Sequence, residues 1–360
     1  MRKIYLILYL LGYSFSLFAQ QDTTRQAKPF SWAVLPIVYS TPETSWAFGI
    51  GAVASARLGA DTSTYESQAT VGGAYTLEDQ FLTYASWRIF TNENKHVLAG
   101  ELGWYRYVYY YYGQGNQVVP EEEREVYEVT YPRLRLDYLH KLIGNWYGGL
   151  RYWMDDFQDL RPDPSGQLVQ GVLGVTGGVI SGLGPLITYD DRDSQLYPTK
   201  GSYLAASWQF YTDFLGSDYT YDRWMLDARR VYGLGKSRTL VGQFYAEGSR
   251  GDVPFYALPQ LGGNRLLRGL FEGKYRDNQV YAGQVDYRQK VWERWGYVLF
   301  TGVGTVTESL GDMSDSVTKL TYGLGFRYQL SKTSLLNIRL DLAHSPGEDF
   351  RFYLTFGEAF

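Results

Sequence analysis

Residues 131–138 read YPRLRLDY, so in an extended chain Leu134, Leu136 and Tyr138 fall on one side and Arg133, Arg135 and Asp137 on the other. Residues 336–342 repeat the pattern, with Leu336, Ile338, Leu340 and Leu342 set against Asn337, Arg339 and Asp341. A period of two admits strands and rejects amphipathic helices, whose apolar residues recur every three or four positions. It leaves open which face is wet. A soluble sandwich turns the apolar face inward, whereas a membrane barrel turns it to lipid and keeps its charges in the lumen. Segment length, the connections and the C-terminus decide between them.

The same reading along the chain predicts about sixteen strands, near 31–40, 45–58, 64–76, 80–91, 96–110, 125–142, 145–156, 177–190, 201–213, 218–233, 238–249, 279–292, 295–307, 319–330, 334–344 and 350–360. Many match the roughly ten residues that a tilted strand needs to cross a bilayer. Connections alternate between short ones (92–95, 143–145, 233–237, 293–294, 331–333) and long ones (111–124, 156–175, 254–276, 309–319). Short periplasmic turns and long outer loops are the habit of bacterial outer-membrane barrels. Aromatic residues make up 17% of the chain and cluster at strand ends, as at Trp104-Tyr105, 109–112, Trp224, and Trp292 with Trp295. An interfacial girdle is the first reading of these, and a sugar- or partner-binding patch at 109–112 the second.

Arg2 and Lys3 precede an apolar run to about Phe18, followed by Ala19-Gln20-Gln21. The run falls short of the roughly 20 apolar residues of a membrane-spanning helix, which predicts a cleaved signal peptide over 1–20. A short periplasmic segment over 21–30 and a barrel over 31–360 complete the expected layout. The 360 residues hold no cysteine, which excludes a lipoprotein anchor, disulfides and thiol chemistry, and the net charge of -4 gives no surface for nucleic acid. The chain ends FRFYLTFGEAF, which sets Phe350, Phe352, Leu354, Phe356 and Phe360 on one face of a predicted closing strand.

The stretch 254–276, PFYALPQLGGNRLLRGLFEGKYR, is too apolar for a solvated loop and too long for a turn. It carries Gly262-Gly263 and the tetrad Leu267-Arg268-Gly269-Leu270, and its expected place is inside the lumen. An arginine taken there needs a carboxylate on the wall, which its planar fork can hold in two hydrogen bonds. Alternation in 283–290 puts Gln284, Asp286, Arg288 and Lys290 on the lumen face, with Val285 and Tyr287 toward lipid, so Asp286 is the candidate partner of Arg268. Gly269 would let the loop backbone come close to the wall.

Three stretches together resemble the BamA/TamA superfamily, the bacterial surface antigen family of outer-membrane barrels. The tetrad at 267–270 resembles its Arg-Gly-aromatic loop motif. ITYDDRDSQLYPTKG at 187–201, with Tyr189, Asp190, Arg192, Asp193, Pro198 and Gly201, resembles its Tyr-Asp-x-Arg-Asp…Pro-x-x-Gly segment, and the ending with Phe352, Leu354, Phe356 and Phe360 resembles its C-terminal recognition signal. The resemblance implies a barrel in the outer membrane of a Gram-negative bacterium, acting in protein or lipid insertion or translocation. Implied partners are outer-membrane lipid and client outer-membrane proteins or a separate periplasmic protein. Members usually carry periplasmic POTRA domains ahead of the barrel, and this chain is expected to be the barrel alone. The family's second wall acid, in a Phe-x-Asp pattern, is matched by Phe300-Thr301-Gly302, so the anchor is expected to rest mainly on Asp286.

Nothing in the sequence asks for catalysis, a metal or another cofactor. The acidic cluster at 190–193 reads as a periplasmic turn whose side chains satisfy the turn backbone. The run Glu121 to Glu123 with Arg124 reads as a solvated loop face. His96, His140 and His344 are scattered without a nucleophile pattern. A lipid-modifying enzyme would need such a pattern, so the alternative to an assembly barrel is a passive diffusion channel or a structural surface barrel.

Overall fold

A computed structural model describes residues 30–59, 64–330 and 337–360. The expected signal peptide, the segment ahead of Phe30, the turn at 331–333 and Leu336 lie outside the described residues. The strands in chain order are β1 (Phe30–Thr41), β2 (Ser45–Arg57), β3 (Glu66–Thr76), β4 (Phe81–Thr91), β5 (His96–Tyr111), β6 (Glu125–Ile143), β7 (Trp146–Arg161), β8 (Gly178–Asp190) and β9 (Gly201–Tyr211). They continue with β10 (Tyr221–Gly233), β11 (Arg238–Gly251), β12 (Gln260–Leu261), β13 (Tyr275–Arg276), β14 (Gln279–Trp292), β15 (Trp295–Thr307), β16 (Lys319–Gln329), β17 (Asn337–His344) and β18 (Arg351–Phe356). All but β12 and β13 form one closed barrel, each strand antiparallel to its neighbours, and those two pair with each other inside a loop. The barrel therefore has the sixteen strands that alternation calls for.

Closure pairs each strand with a neighbour on both sides, as hydrocarbon demands because it offers no hydrogen bonds. The alternating faces sort as a membrane barrel requires. Ile50, Val71, Leu102, Leu299 and Phe326 are exposed on the outside, while Arg133 and Arg135 meet Asp155 on the inside. Among the described residues no helix is long and apolar enough to cross a membrane; the chain crosses with strands.

Closure is uneven around the wall. β1 runs alongside β2 over twelve register pairs, from Phe30↔Ala56 to Thr41↔Ser45. Against β18 its register is one pair, Ser40↔Leu354. β18 is also short, with six residues against the eleven predicted for a closing strand to 360. The chain leaves the sheet at Gly357, whose φ of 77° suits a residue without a Cβ. Phe352 and Phe356 stay on the outer face, but Phe360 does not join them: it is buried against Val231, Val241 and Ala359. The expected single apolar face thus ends at Phe356.

The aromatic clusters also divide. Trp104, Trp292 and Trp295 are exposed on the outside, as a girdle requires. Tyr105, Tyr111 and Tyr112 are buried, and Tyr111 meets Phe255 edge-on at 5.5 Å. The tyrosines of 109–112 therefore serve as packing under the loop more than as girdle: Tyr111 meets Phe255, and Tyr110 and Tyr112 meet Phe271.

Candidate functional site

The loop between β11 and β14 folds into the lumen. A two-rung ribbon, Gln260↔Arg276 and Leu261↔Tyr275, holds its stem, and Leu261, Leu267 and Leu270 are fully buried against Val280, Ala282 and Val306. Leu267 has a positive φ of 53°, a strained setting for a branched residue, followed by Gly269 at 110°. This twist turns Leu267 onto wall glycines. A Cβ on Gly302 would stand 2.6 Å from Leu267 Cδ2, and one on Gly304 2.5 Å from Cδ1. Gly262 and Gly263 also take positive φ, and a Cβ on Gly262 would meet the Phe271 carbonyl oxygen at 2.5 Å. Gly269 approaches β17 so closely that a Cβ there would lie 3.0 Å from the His344 backbone, and its N–H donates to the Tyr353 hydroxyl at 3.0 Å.

Arg268 is the innermost charged group of the loop. Its Nη2 donates to Asp286 Oδ1 at 2.5 Å and its Nη1 to Asp341 Oδ2 at 2.7 Å, with all three side chains sealed from solvent. The guanidinium lies 3.7 Å above the Phe300 ring centroid. Burial works against the Arg268 charge, but Asp286 and Asp341 outweigh it and raise its affinity for the proton. The anchor does not rest mainly on Asp286. The acid missing after Phe300 is replaced by Asp341, two strands further along the sheet on β17. Leu267 fills the space over Gly302, where any side chain would meet it.

The two carboxylates continue into a closed circuit. Asp286 also meets Arg288 at 3.5 Å, Arg288 faces Glu358 at 3.8 Å, Glu358 accepts from Arg327 at 2.9 Å, and Arg327 donates to the other oxygen of Asp341 at 2.6 Å. Arg339 joins at Asp341 (3.5 Å) and donates to the Asn264 carbonyl of the loop at 2.8 Å. Glu358 and Phe360 belong to the tail beyond β18, and the Phe360 carbonyl accepts from Arg288 at 2.8 Å. Burial alone would raise the Glu358 carboxyl; Arg327 and Arg288 outweigh it and hold it below the usual range. Sequence reasoning missed Arg327 and Glu358. Asp341 and Arg339 were already legible as lumen-facing in the alternation of 336–342, and Gly357 was the available signal that the strand stops before Glu358.

Further contacts close the outer side of the loop. Lys274 Nζ lies 2.8 Å from Glu348, the Tyr275 hydroxyl donates to the same carboxylate at 3.0 Å, and Arg276 caps the carbonyls of Gly273 and Tyr110. Of the other predicted lumen residues, Gln284 accepts from the Leu267 N–H at 3.1 Å and donates to the Arg265 carbonyl, while Lys290 is exposed at the rim. The loop does not fill the barrel. A cavity of about 1120 Å³ remains beside it, lined by Tyr84, Arg133, Asp155, Arg223, Asp227 and Glu272 among others.

The 191–200 connection lies between β8 and β9, away from the anchor. Arg192 holds Asp190 through two hydrogen bonds of 2.8 Å, and Tyr189 donates to Asp191 at 3.0 Å. Asp193 accepts from the Thr199 hydroxyl and from the Thr199 and Lys200 N–H groups, and these hydrogen bonds outweigh its partial desolvation and hold the carboxyl below its usual range. Pro198 is buried, and Gly201 packs where a Cβ would meet Arg192 Cα at 2.6 Å. The cluster satisfies its own turn. Among the described residues no three or more His, Asp or Glu side chains gather as a metal cage would.

A closed antiparallel barrel of sixteen strands, with an inward-folded loop tied to its wall by a buried arginine, defines a plugged outer-membrane barrel. The Omp85 superfamily domain matches residues 180–360, the half that supplies the loop, both wall carboxylates and the tail. The chain belongs to the Omp85 superfamily. Among solved structures, BamA from Haemophilus ducreyi lacking POTRA domains 1-3 is similar at a TM-score of 0.59 and 13% identity, over 92% of this chain and 71% of that one. CdiB from Escherichia coli matches at 0.61 and 10%, and CdiB from Acinetobacter baumannii at 0.58 and 12%; this chain spans 64% and 60% of their lengths. At such identities the likeness is one of fold. No curated protein matches the sequence.

Proposed function

We propose that this barrel works in insertion or translocation of protein or lipid at the outer membrane of a Gram-negative bacterium, by opening its β1–β18 seam and lumen loop rather than by bond chemistry. On this reading residues 1–20 are the export signal, 21–30 lead in, and 31–360 act as the barrel, with client outer-membrane proteins or a separate periplasmic protein as partners. The observation that carries the reading is the ion-pair circuit. Arg268 of the loop and Glu358 of the tail belong to one ring, and the strand before that tail meets β1 at one register pair. A change at the seam therefore reaches the loop through side chains already in contact, as a gated machine needs. The cavity beside the loop supports the second reading, a passive channel.

Ser40 and Leu354 stand opposite each other at the seam, and the chain has no cysteine. Ser40→Cys with Leu354→Cys would place one removable disulfide there, since directly opposed antiparallel residues have the Cα separation that a disulfide accepts. In proteoliposomes, the oxidised variant should fail to speed the folding of an added barrel protein into the bilayer, and reduction should restore it. Equal rates in both states would overturn the seam reading. Steady conductance in planar bilayers, unchanged by the disulfide, would favour the passive channel.

A further inference from the structure

His96 and His140, far apart in sequence, are brought together by the register of β5 and β6, which sets them directly opposite each other. Both stand at the end of the barrel that carries the short turns, His96 as the first residue of β5 and His140 near the end of β6. Their Nδ1 atoms are 3.4 Å apart, their ring centroids 4.9 Å apart, and the Tyr138 hydroxyl lies 2.9 Å from His96 Nδ1. Tyr138 and His140 are exposed on the outer wall, at the rim where water has access. Two imidazole nitrogens on one tetrahedral zinc ion, each bonded at about 2.0–2.1 Å, stand about 3.3–3.4 Å apart. The two Nδ1 atoms, which share a hydrogen bond here, already stand at that separation.

We propose that His96 and His140 form a binding site for a divalent transition metal of the zinc or copper class on the periplasmic rim. Two imidazoles suit zinc, copper and nickel and give magnesium or calcium little, because those ions require oxygen ligands. The Tyr138 hydroxyl offers a neighbouring oxygen, and water completes the shell. A bound ion joins β5 to β6 at the end of their ladder. It stabilises the folded barrel by mass action, since an unfolded chain does not hold the two rings together.

The sequence makes the test clean. The chain has three histidines and no cysteine, so His344, on β17, serves as the internal control. Zinc chloride and copper(II) chloride are titrated by calorimetry into the tag-free barrel folded in detergent, and the thermal unfolding midpoint is followed with and without metal. The expected result is one ion per barrel and a raised midpoint, both retained in His344→Asn. His96→Asn and His140→Asn should each weaken binding about tenfold or more, because even loss of a residue supporting a ligand costs 10–100-fold. Tyr138→Phe should keep the site. Heat-modifiable gel migration verifies that each variant is folded. Equal binding by wild type and the His96→Asn/His140→Asn double variant would mean an adventitious ion only and overturn the proposal, as would a loss confined to His344→Asn.

Discussion

The lumen has two halves built from the same chemistry at different wetness. On the side walled by β14 to β18, Arg268 pairs with Asp286 and Asp341 with side-chain exposures of 0–1%. On the other side Arg133, 27% exposed, reaches Asp155, and Arg229, 23% exposed, reaches Asp227; the carboxylates are buried at 2% and 11%, but water meets the guanidinium of each pair along the cavity. A dry charge cannot lose its partner without a large penalty, whereas a wet one exchanges its partner for water. The first half therefore fixes one position of the loop. The second half lines a space whose occupants can change. Arginine–carboxylate pairing by itself does not identify an anchor; the loop that excludes water from it does.

The largest break in this contrast should come from the anchor. Arg268→Ala or Asp341→Ala leaves buried charges unmatched, so loop seating should weaken by on the order of 3–5 kcal/mol. Single-channel conductance and proteolysis at Arg265 should both rise. Arg268→Ala combined with Asp286→Ala should be little worse than either change alone, and additive losses would show that the residues do not act as a pair.

Next comes packing. Gly302→Ala drives a methyl into Leu267 and should loosen the loop by about 1–3 kcal/mol, whereas Gly283→Ala on the neighbouring strand has nothing within 4 Å and should change little. Equal behaviour of the two variants in the proteolysis assay would deny that Leu267 is seated on the wall.

The wet half should respond least. Arg229→Ala should cost about 1–2 kcal/mol, less than the anchor changes, because the buried Asp227 keeps its hydrogen bond from Gln243 and water can enter from the cavity. A loss matching that of Arg268→Ala would erase the distinction between the halves.

Acid offers a graded probe of the circuit. Glu358 has its carboxyl held below the ordinary value of 4.5, so its contribution is complete above pH 4.5 and is lost as pH falls through the lowered value. Loop protection against an acid-active protease should decline over that range, and Glu358→Gln should flatten the decline.

Most of the wall was legible because alternation is local: each strand announces its faces within a few residues. Asp286 could be found the same way, since a loop arginine asks for a lumen carboxylate on a nearby strand. Asp341 was visible as a lumen residue but not as the partner of Arg268, because the pairing depends on how far β17 curves round the barrel. The tail was misread for a related reason. Phe360 continues the apolar alternation of 350–356, and only the turn at Gly357, together with the pocket formed by Val231 and Val241, takes it off the sheet. His96 and His140 illustrate the limit again, being scattered in sequence and adjacent in register.

The position of the tail also bears on timing. The ion-pair circuit draws on residues from 268 to 358, so it closes only when the loop, the wall and the segment beyond Gly357 are all in place. Loop, wall and tail are joined by contacts of long sequence separation, which form late because so much chain must first be ordered. A barrel whose tail has not yet turned in at Gly357 lacks one of its three carboxylates and leaves Arg327 and Arg288 short of a counter-charge. The closed state is thereby set apart from the almost closed one by a step in free energy, and barrels whose tail has not turned in are left on the unstable side of that step.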